Sequence, residues 1–375
     1  MADLYDYLQW RGDLSFSQAP VNPVDTLIFS ALSYISFGGS VEALPEVPIS
    51  LKDAADEFFR MPDQLERCRV KNDLNLLMAA AESKRFQNVM LLQYRSVLIP
   101  EEETQFAAIT FLLDDNSGVI TFRGTDYTLV GWKEDFNMTF RETIPSQLLA
   151  QEYTQEIGDK YIMPLRICGH SKGGNLAVFS AVKAKESIRN RIREVYNHDG
   201  PGFTDFVMSD PAYKNLASRI HTVVPQSSVI GMLLEHEEPY TIIRSKQIGL
   251  LQHDPYSWDI LGPNFVPMEE ISADSRFLDQ TIKTWLADMT MEERNEIVDT
   301  VYDLLTVSGA DNVFDLLHPK NVRAYLKTLS THGNIRRLLS GEFTNLLEAA
   351  RKTQLALDTS KNKEETSISE SETNT

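Results

Sequence analysis

Cysteine is scarce in this chain: Cys68 and Cys168 are the only two in 375 residues. A disulfide framework cannot be built on that number, and a disulfide between these two is not expected. Cys68 sits in a charged, helix-like stretch and Cys168 in an apolar one, where it reads as a small buried core residue. Basic charge is also short, with 36 Lys and Arg against 54 Asp and Glu, a net charge of −18. Such a chain repels a phosphate backbone and an anionic membrane surface, so no nucleic-acid partner is expected. No run of 18 uncharged apolar residues occurs, which excludes a transmembrane helix. The first residues, Met1-Ala2-Asp3-Leu4-Tyr5-Asp6, carry acids where a secretory signal carries Lys or Arg, so the expected location is the cytoplasm. There is no H-x-x-x-H, no paired C-x-x-C and no G-x-x-x-x-G-K-[ST]. Neither a metal nor a nucleotide cofactor is therefore expected.

What is present is an apolar stretch ending in Ile167-Cys168-Gly169-His170-Ser171-Lys172-Gly173-Gly174-Asn175. It reads as a short buried strand, a G-x-S-x-G turn, and a helix over residues 176–184. In that setting the serine stands on a tight strand-to-helix turn with its hydroxyl exposed at the C-terminal edge of a sheet. Gly169 and Gly173 leave the crowded turn without Cβ atoms. The helix aims its N-terminal amides at the place where charge develops on a reacting carbonyl oxygen. Ser171 is thus the candidate nucleophile.

The surrounding pattern supports that placement. Helical periodicity covers residues 26–37, capped by Asn22-Pro23-Val24-Asp25 and ended by Gly38-Gly39, then residues 51–60 and 73–84. Strands are expected at 89–98, 106–113 and 119–122, the last two joined by an Asp-Asp-Asn-Ser-Gly turn at 114–118. Helices at 132–139 and 147–161 follow, then strands at 165–168, 193–197, 220–224 and 240–243, with helical turns at 210–218. Alternation of this kind predicts an α/β fold, a sheet covered by helices. From about Ala273 onward the chain is helical, with a capping box at Thr290-Met291-Glu292-Glu293 and further helices at 314–330 and 334–355. Beyond Asp358 the composition is too polar to bury a core and an unfolded tail is expected. The expected division is residues 1–270, a helical subdomain at 271–357, and a tail at 358–375. No internal repeat is present.

A serine needs a base, a group that orients the base, and an oxyanion hole. The backbone amide of Lys172, next to the nucleophile, is the first oxyanion donor. Thr125 is the second, in Val119-Ile120-Thr121-Phe122-Arg123-Gly124-Thr125-Asp126, where an apolar strand ends in Arg-Gly-Thr and offers both an amide and a hydroxyl. Phe122-Arg123-Gly124-Thr125, followed by Trp132 and Asp135 and then by Gly169-His170-Ser171 and Gly173-Gly174, resembles the class 3 lipases. Closer still is the resemblance to a bacterial family of lipase-like α/β-hydrolases of unknown function (Mbeg-like). It extends from Tyr7-Leu8-Gln9-Trp10-Arg11-Gly12-Asp13 through Gln252-His253-Asp254 and Ser257-Trp258, about residues 1–260. The resemblance implies an α/β-hydrolase fold, a serine nucleophile and the F-R-G-[ST] strand end as an oxyanion element. The chain departs from the lipase pattern after the serine, where Leu is usual and Lys172 stands. Its ammonium could face solvent, meet an acid, or bind an anionic part of a substrate; solvation is the expectation.

The fold order places the base after the serine. Of the seven histidines, His170 precedes it and is a packing residue in the resembled family. His198 and His221 lie at strands, and His318 and His332 lie in the helical extension. His253, in a loop after the last strand, is the candidate base, with His236 next. The slot after residues 220–224, where the lipases carry an Asp, reads Pro225-Gln226-Ser227-Ser228-Val229 and holds no carboxylate. Asp199, one strand earlier in Asn197-His198-Asp199-Gly200-Pro201, is the candidate orienting acid, with Ser228 as the alternative. The expected activity is cleavage of a small acyl-ester substrate through an acyl-enzyme. An inactive hydrolase fold acting as a binding module, and a thioesterase or acyl transferase, stand as alternatives.

Overall fold

The computed structural model describes residues 2–38, 48–126, 128–310, 316 and 318–372, with side chains to residue 356. The N-terminal residues form a helix that periodicity did not reveal. This helix, α1 (Leu4–Arg11), is closed by a capping box in which Asp3 accepts from the first-turn amides and Asp6 bonds back to the Asp3 amide. Only Leu4, Tyr7 and Leu8 are buried along it, too few to give a helical period. The second helix, α2 (Pro23–Leu32), starts where its Asn-Pro-x-Asp cap predicts. It ends five residues before the expected residue 37, because Ser30 and Ser33 turn their hydroxyls back onto the carbonyls of Thr26 and Ser30. Gly39 lies outside the described residues.

Two further helices, α3 (Leu51–Phe58) and α4 (Lys71–Glu82), lead into the sheet. Its strands are β1 (Ile49–Ser50), β2 (Met90–Ile99), β3 (Thr104–Leu112), β4 (Gly118–Phe122), β5 (Leu165–His170), β6 (Ile192–His198), β7 (Ile220–Pro225) and β8 (Tyr240–Ile243). They lie side by side in chain order in one eight-stranded sheet. The first four are mutually antiparallel and β4 to β8 are parallel. Parallel neighbours need crossover connections, and helices supply them. These are α5 (Leu129–Met138), α6 (Pro145–Lys160), α7 (Lys172–Lys183), α8 (Glu186–Arg189), α9 (Asp205–Met208) and α10 (Pro211–Leu216).

Both faces of the sheet are buried, as parallel sheets require. On one face Ile109, Phe111, Val119 and Cys168 pack with α1, α2, α3 and α4, and with Trp258 and Phe265 from the chain after β8. On the other, Phe106, Ile120, Phe122, Leu165 and Ile167 meet the apolar sides of α6 and α7. A two-stranded ribbon, β9 (Ile260–Leu261) with β10 (Asn264–Phe265), closes this part of the chain. Its N-terminal layer is tied by a buried bidentate pair, in which Arg85 donates to both carboxylate oxygens of Asp25 at 2.8 and 2.6 Å. Asp25 also accepts from the Tyr7 hydroxyl at 2.8 Å, which joins α1 to α2.

The chain divides into two compact units, the second beginning at Ser272. That unit consists of α11 (Ala273–Ala287), α12 (Met291–Thr306), α13 (Pro319–Thr331) and α14 (Gly333–Glu372). The capping box at Thr290 and Glu293 is formed as expected. The first residues expected in α13, 314 and 315, lie outside the described residues. The backbone of α14 stays helical past Asp358, where composition predicts an unfolded tail. A polar segment has no core to bury, yet adding residues to an existing helix costs far less than nucleating one. No helix among the described residues is long and apolar enough to cross a membrane.

Candidate active site

The site is built at the C-terminal ends of β4, β5 and β6. Ser171 follows β5 with φ 61° and ψ −136°, a conformation outside the regions open to a residue with a Cβ. Holding it there costs about 1–3 kcal/mol, which the surrounding backbone must over-determine. The Ser171 amide donates to the His198 carbonyl at 2.9 Å, and its carbonyl accepts from Gly174 at 2.8 Å. The tightness of the turn accounts for the glycines. A Cβ on Gly169 would lie 2.1 Å from the Gly173 carbonyl oxygen, and one on Gly173 would lie 2.2 Å from that of Phe122. The helix after the serine begins at Lys172, four residues earlier than periodicity suggests, because small residues carry its first turn.

Asp199 ends β6, also in the left-handed region at φ 54°. This turn aims its fully buried carboxylate along the top of the sheet. One oxygen, Oδ2, lies 2.7 Å from Nδ1 of His253, whose ring is one-quarter exposed. The other, Oδ1, accepts the Ser228 hydroxyl, which in turn accepts from the Gly231 amide at 3.0 Å. Ser228 therefore bonds the same carboxylate that meets the histidine. Nδ1 directed at Asp199 leaves Nε2 of His253 as the ring nitrogen pointed away from the acid.

His253 is fixed from a second side by the residue before the serine. Nε2 of His170 donates to the His253 carbonyl at 2.8 Å, and the two rings lie tilted by 33° with centroids 4.6 Å apart. Nδ1 of His170 lies 3.0 Å from the Tyr34 hydroxyl. Burial, with help from neighbouring positive groups, holds the His170 imidazole well below its usual range, so it is neutral. His170 is thus more than packing, a role that only the spatial neighbourhood discloses.

The strand end that carries Thr125 packs directly on the serine. A Cβ on Gly124 would lie 3.0 Å from Cβ of Ser171 and 2.5 Å from the His170 carbonyl oxygen. The Thr125 hydroxyl donates to Oδ1 of Asp135 at 2.7 Å, so its proton is committed. Desolvation pushes the Asp135 carboxyl up to about 6, against the pull of Lys172 and the Thr125 bond. The side chain keeps 37% of its surface open, so solvent damps that push.

Lys172 departs from expectation: its side chain is 1% exposed, and not solvated. Its ammonium has three donors and all are used, on the Gln105 carbonyl and side-chain oxygens at 2.8 Å each and on Oε2 of Glu134 at 2.7 Å. Glu134 also accepts from the amides of Gln105 at 3.2 Å and Ser146 at 2.9 Å. A buried charge needs such a set of partners. Glu134 and Gln105 carry no local signal that would have marked them in the sequence.

Three other histidines of this unit are occupied elsewhere. His198 bonds Thr26 at 3.0 Å, His221 is 3.6 Å from Glu194, and His236 contacts the Gly231 carbonyl at 2.8 Å and Glu238 at 3.3 Å. Among the described residues no group of three or more His, Cys, Asp or Glu could hold a metal ion. The structure therefore brings together Asp199 and His253 by direct contact, and Thr125 and Ser171 through Gly124. Ser171 Oγ makes no hydrogen bond among the described residues.

The profile of the Mbeg1-like family matches residues 80–303, more than half of the sequence, and the chain belongs to that family. The match begins after Tyr7-Leu8-Gln9-Trp10 and runs past β10 into α11 and α12. No curated protein matches the chain. Among solved structures it is similar to the native lipase propeptide complex of Rhizomucor miehei, at 14% identity and a TM-score of 0.37, over 64% of this chain and 80% of that one.

Proposed function

We propose that this member of the Mbeg1-like family is a serine hydrolase that cleaves acyl esters through an acyl-enzyme. The observation that carries the reading is the 2.7 Å contact between buried Asp199 and Nδ1 of His253. It costs free energy to desolvate a carboxylate, and a structural loop needs none at this point. A hydrolase needs one there, because it sets the tautomer that lets Nε2 act as base.

In this mechanism His253 takes the proton of Ser171 Oγ as the oxygen attacks the substrate carbonyl. The negative charge that forms on the carbonyl oxygen is met by the backbone amides of Thr125 and Lys172 and by the N-terminal end of α7. His253 then passes its proton to the leaving alcohol. Water, activated by the same imidazole, releases the acid and regenerates the serine. Asp199 stays ionised throughout and stabilises the imidazolium. No cofactor enters any step.

The reading is tested by incubating the protein with p-nitrophenyl esters of graded acyl length. Release of p-nitrophenol with a transient mass increase equal to the acyl group on Ser171 supports it, and both are lost in Ser171→Ala. Ser171-independent release, or none from folded protein, would favour the binding-module reading. If the acyl group is captured faster by an added alcohol or thiol than by water, the transferase reading takes precedence.

A further inference from the structure

Two adjacent residues on α5, Glu134 and Asp135, each hold one of the two residues assigned above to the oxyanion hole. Glu134 accepts from the Lys172 ammonium at 2.7 Å, and Asp135 accepts from the Thr125 hydroxyl at 2.7 Å. The same ammonium lies 4.0 Å from Asp135. The Lys172 side chain reaches from the start of α7 across the end of β4 to Gln105 at the start of β3. It therefore spans the strand end that carries Thr125. The close approach of α5 to this region depends on Gly131, where a Cβ would lie 2.8 Å from Cγ2 of Thr125 and 2.9 Å from Oε1 of Gln105.

We propose that Lys172 is a positioning residue, whose buried ammonium locks both oxyanion donors onto the Glu134-Asp135 pair of α5. The inference rests on the serine-hydrolase reading and adds a role for the side chain that replaces the usual leucine. The physical argument is one of geometry. A leucine at 172 would fix its own amide through apolar packing alone. The lysine fixes it through three hydrogen bonds to two other elements, and its charge also favours the ionised, accepting form of Asp135. The charged and polar groups facing Asp135 are Lys172 from α7, Glu134 on its own helix, Thr125 from the segment after β4, His253 from the loop after β8, and Tyr34 after α2. Removing Lys172 deletes the largest influence holding that carboxyl down.

The test compares wild type with Lys172→Met and with the charge-compensated double variant Lys172→Met/Glu134→Gln, in ester turnover and thermal melting across pH. The single variant leaves Glu134 buried without its cation and is expected to melt lower. The double variant removes both charges and recovers most of the melting temperature. If Lys172 serves positioning, kcat in the double variant stays about 100-fold below wild type with KM unchanged, the scale of losing one oxyanion donor. The acid limb of the single variant's kcat profile moves up, as Asp135 loses a neighbouring cation, whereas in the double variant the loss of the Glu134 charge offsets that shift. A double variant that recovers both the melting temperature and wild-type kcat, beside a wild type whose turnover depends on Ser171, overturns this proposal alone. A wild type with no Ser171-dependent turnover overturns the hydrolase reading and this proposal with it.

Discussion

At the scale of single residues, the site depends on side chains held in costly places. Ser171 and Asp199 both occupy the left-handed region without being glycine, at φ 61° and 54°. Asp135 is held protonated to a higher pH than usual by burial, and its sign of effect is specific. Its folded-state value of about 6 lies above the ordinary 3.8. The folded protein therefore binds the proton more tightly than the unfolded chain between those values. Stability is lost as pH rises from about 4 to 6 and the loss is complete above that. Asp135→Asn removes this cost while keeping an acceptor for Thr125. It is expected to melt higher than wild type at pH 7.5, with the difference gone near pH 4, and to keep its activity further into acid. An equal melting difference at both pH values would refute the assignment. Asp135→Ala, which removes the acceptor, is expected to lower kcat about 10- to 100-fold at constant KM, less than the loss of a donor itself. Of this scale the sequence offers Ser171, Thr125, His253 and Asp199 as candidates, because motif and chain order point to them. It did not show Glu134, Gln105 or the burial of Lys172, because those contacts join residues up to 67 positions apart.

At the scale of elements, three backbone approaches build the site: β4 onto the serine turn, the turn onto α7, and α5 onto β3. Gly173→Ala tests the first of them. Its Cβ would meet the Phe122 carbonyl carbon and oxygen at 2.9 and 2.2 Å, both backbone atoms in a central strand. The chain cannot yield there without opening the β4–β5 register, so the variant is expected to lose several kcal/mol, at the upper end of single-residue effects. A urea titration with an unchanged midpoint would contradict that packing. The N-terminal layer is held by the Arg85–Asp25 pair, with both side chains fully buried. Arg85→Met leaves Asp25 uncompensated and is expected to cost about 3–5 kcal/mol. Circular dichroism during denaturation would read it, and a loss under 1 kcal/mol would show that the layer is held by apolar contacts alone. The long strands of the sheet were legible from their apolar runs, whereas the two-residue strands β1, β9 and β10 were not, being too short to show a period. The first helix was not, since a cap and three buried residues make no period.

At the scale of the molecule, every residue assigned to chemistry lies before Ile271, in the unit whose two apolar cores are complete within it. The helices from Ser272 form a separate compact unit. We therefore expect a fragment ending at residue 271 to fold cooperatively and keep the site. A fragment that fails to fold, beside a full chain that does, would show that the two units are thermodynamically one. The alternation of strands and helices announced the α/β unit, and the capping box at Thr290 announced the start of α12. The helical continuation beyond Asp358 was not legible, because composition reports what a segment can bury and not whether a neighbouring helix extends into it.

The central claim is that Ser171 is an activated nucleophile, and labelling by a fluorophosphonate tests it most directly. Wild type, Ser171→Ala, His253→Ala and Asp199→Ala would be compared after each is shown to fold. The account predicts labelling of wild type on Ser171, none in the first two variants, and slower labelling without Asp199. Folded wild type that resists the probe, or labels equally well without His253, would contradict it.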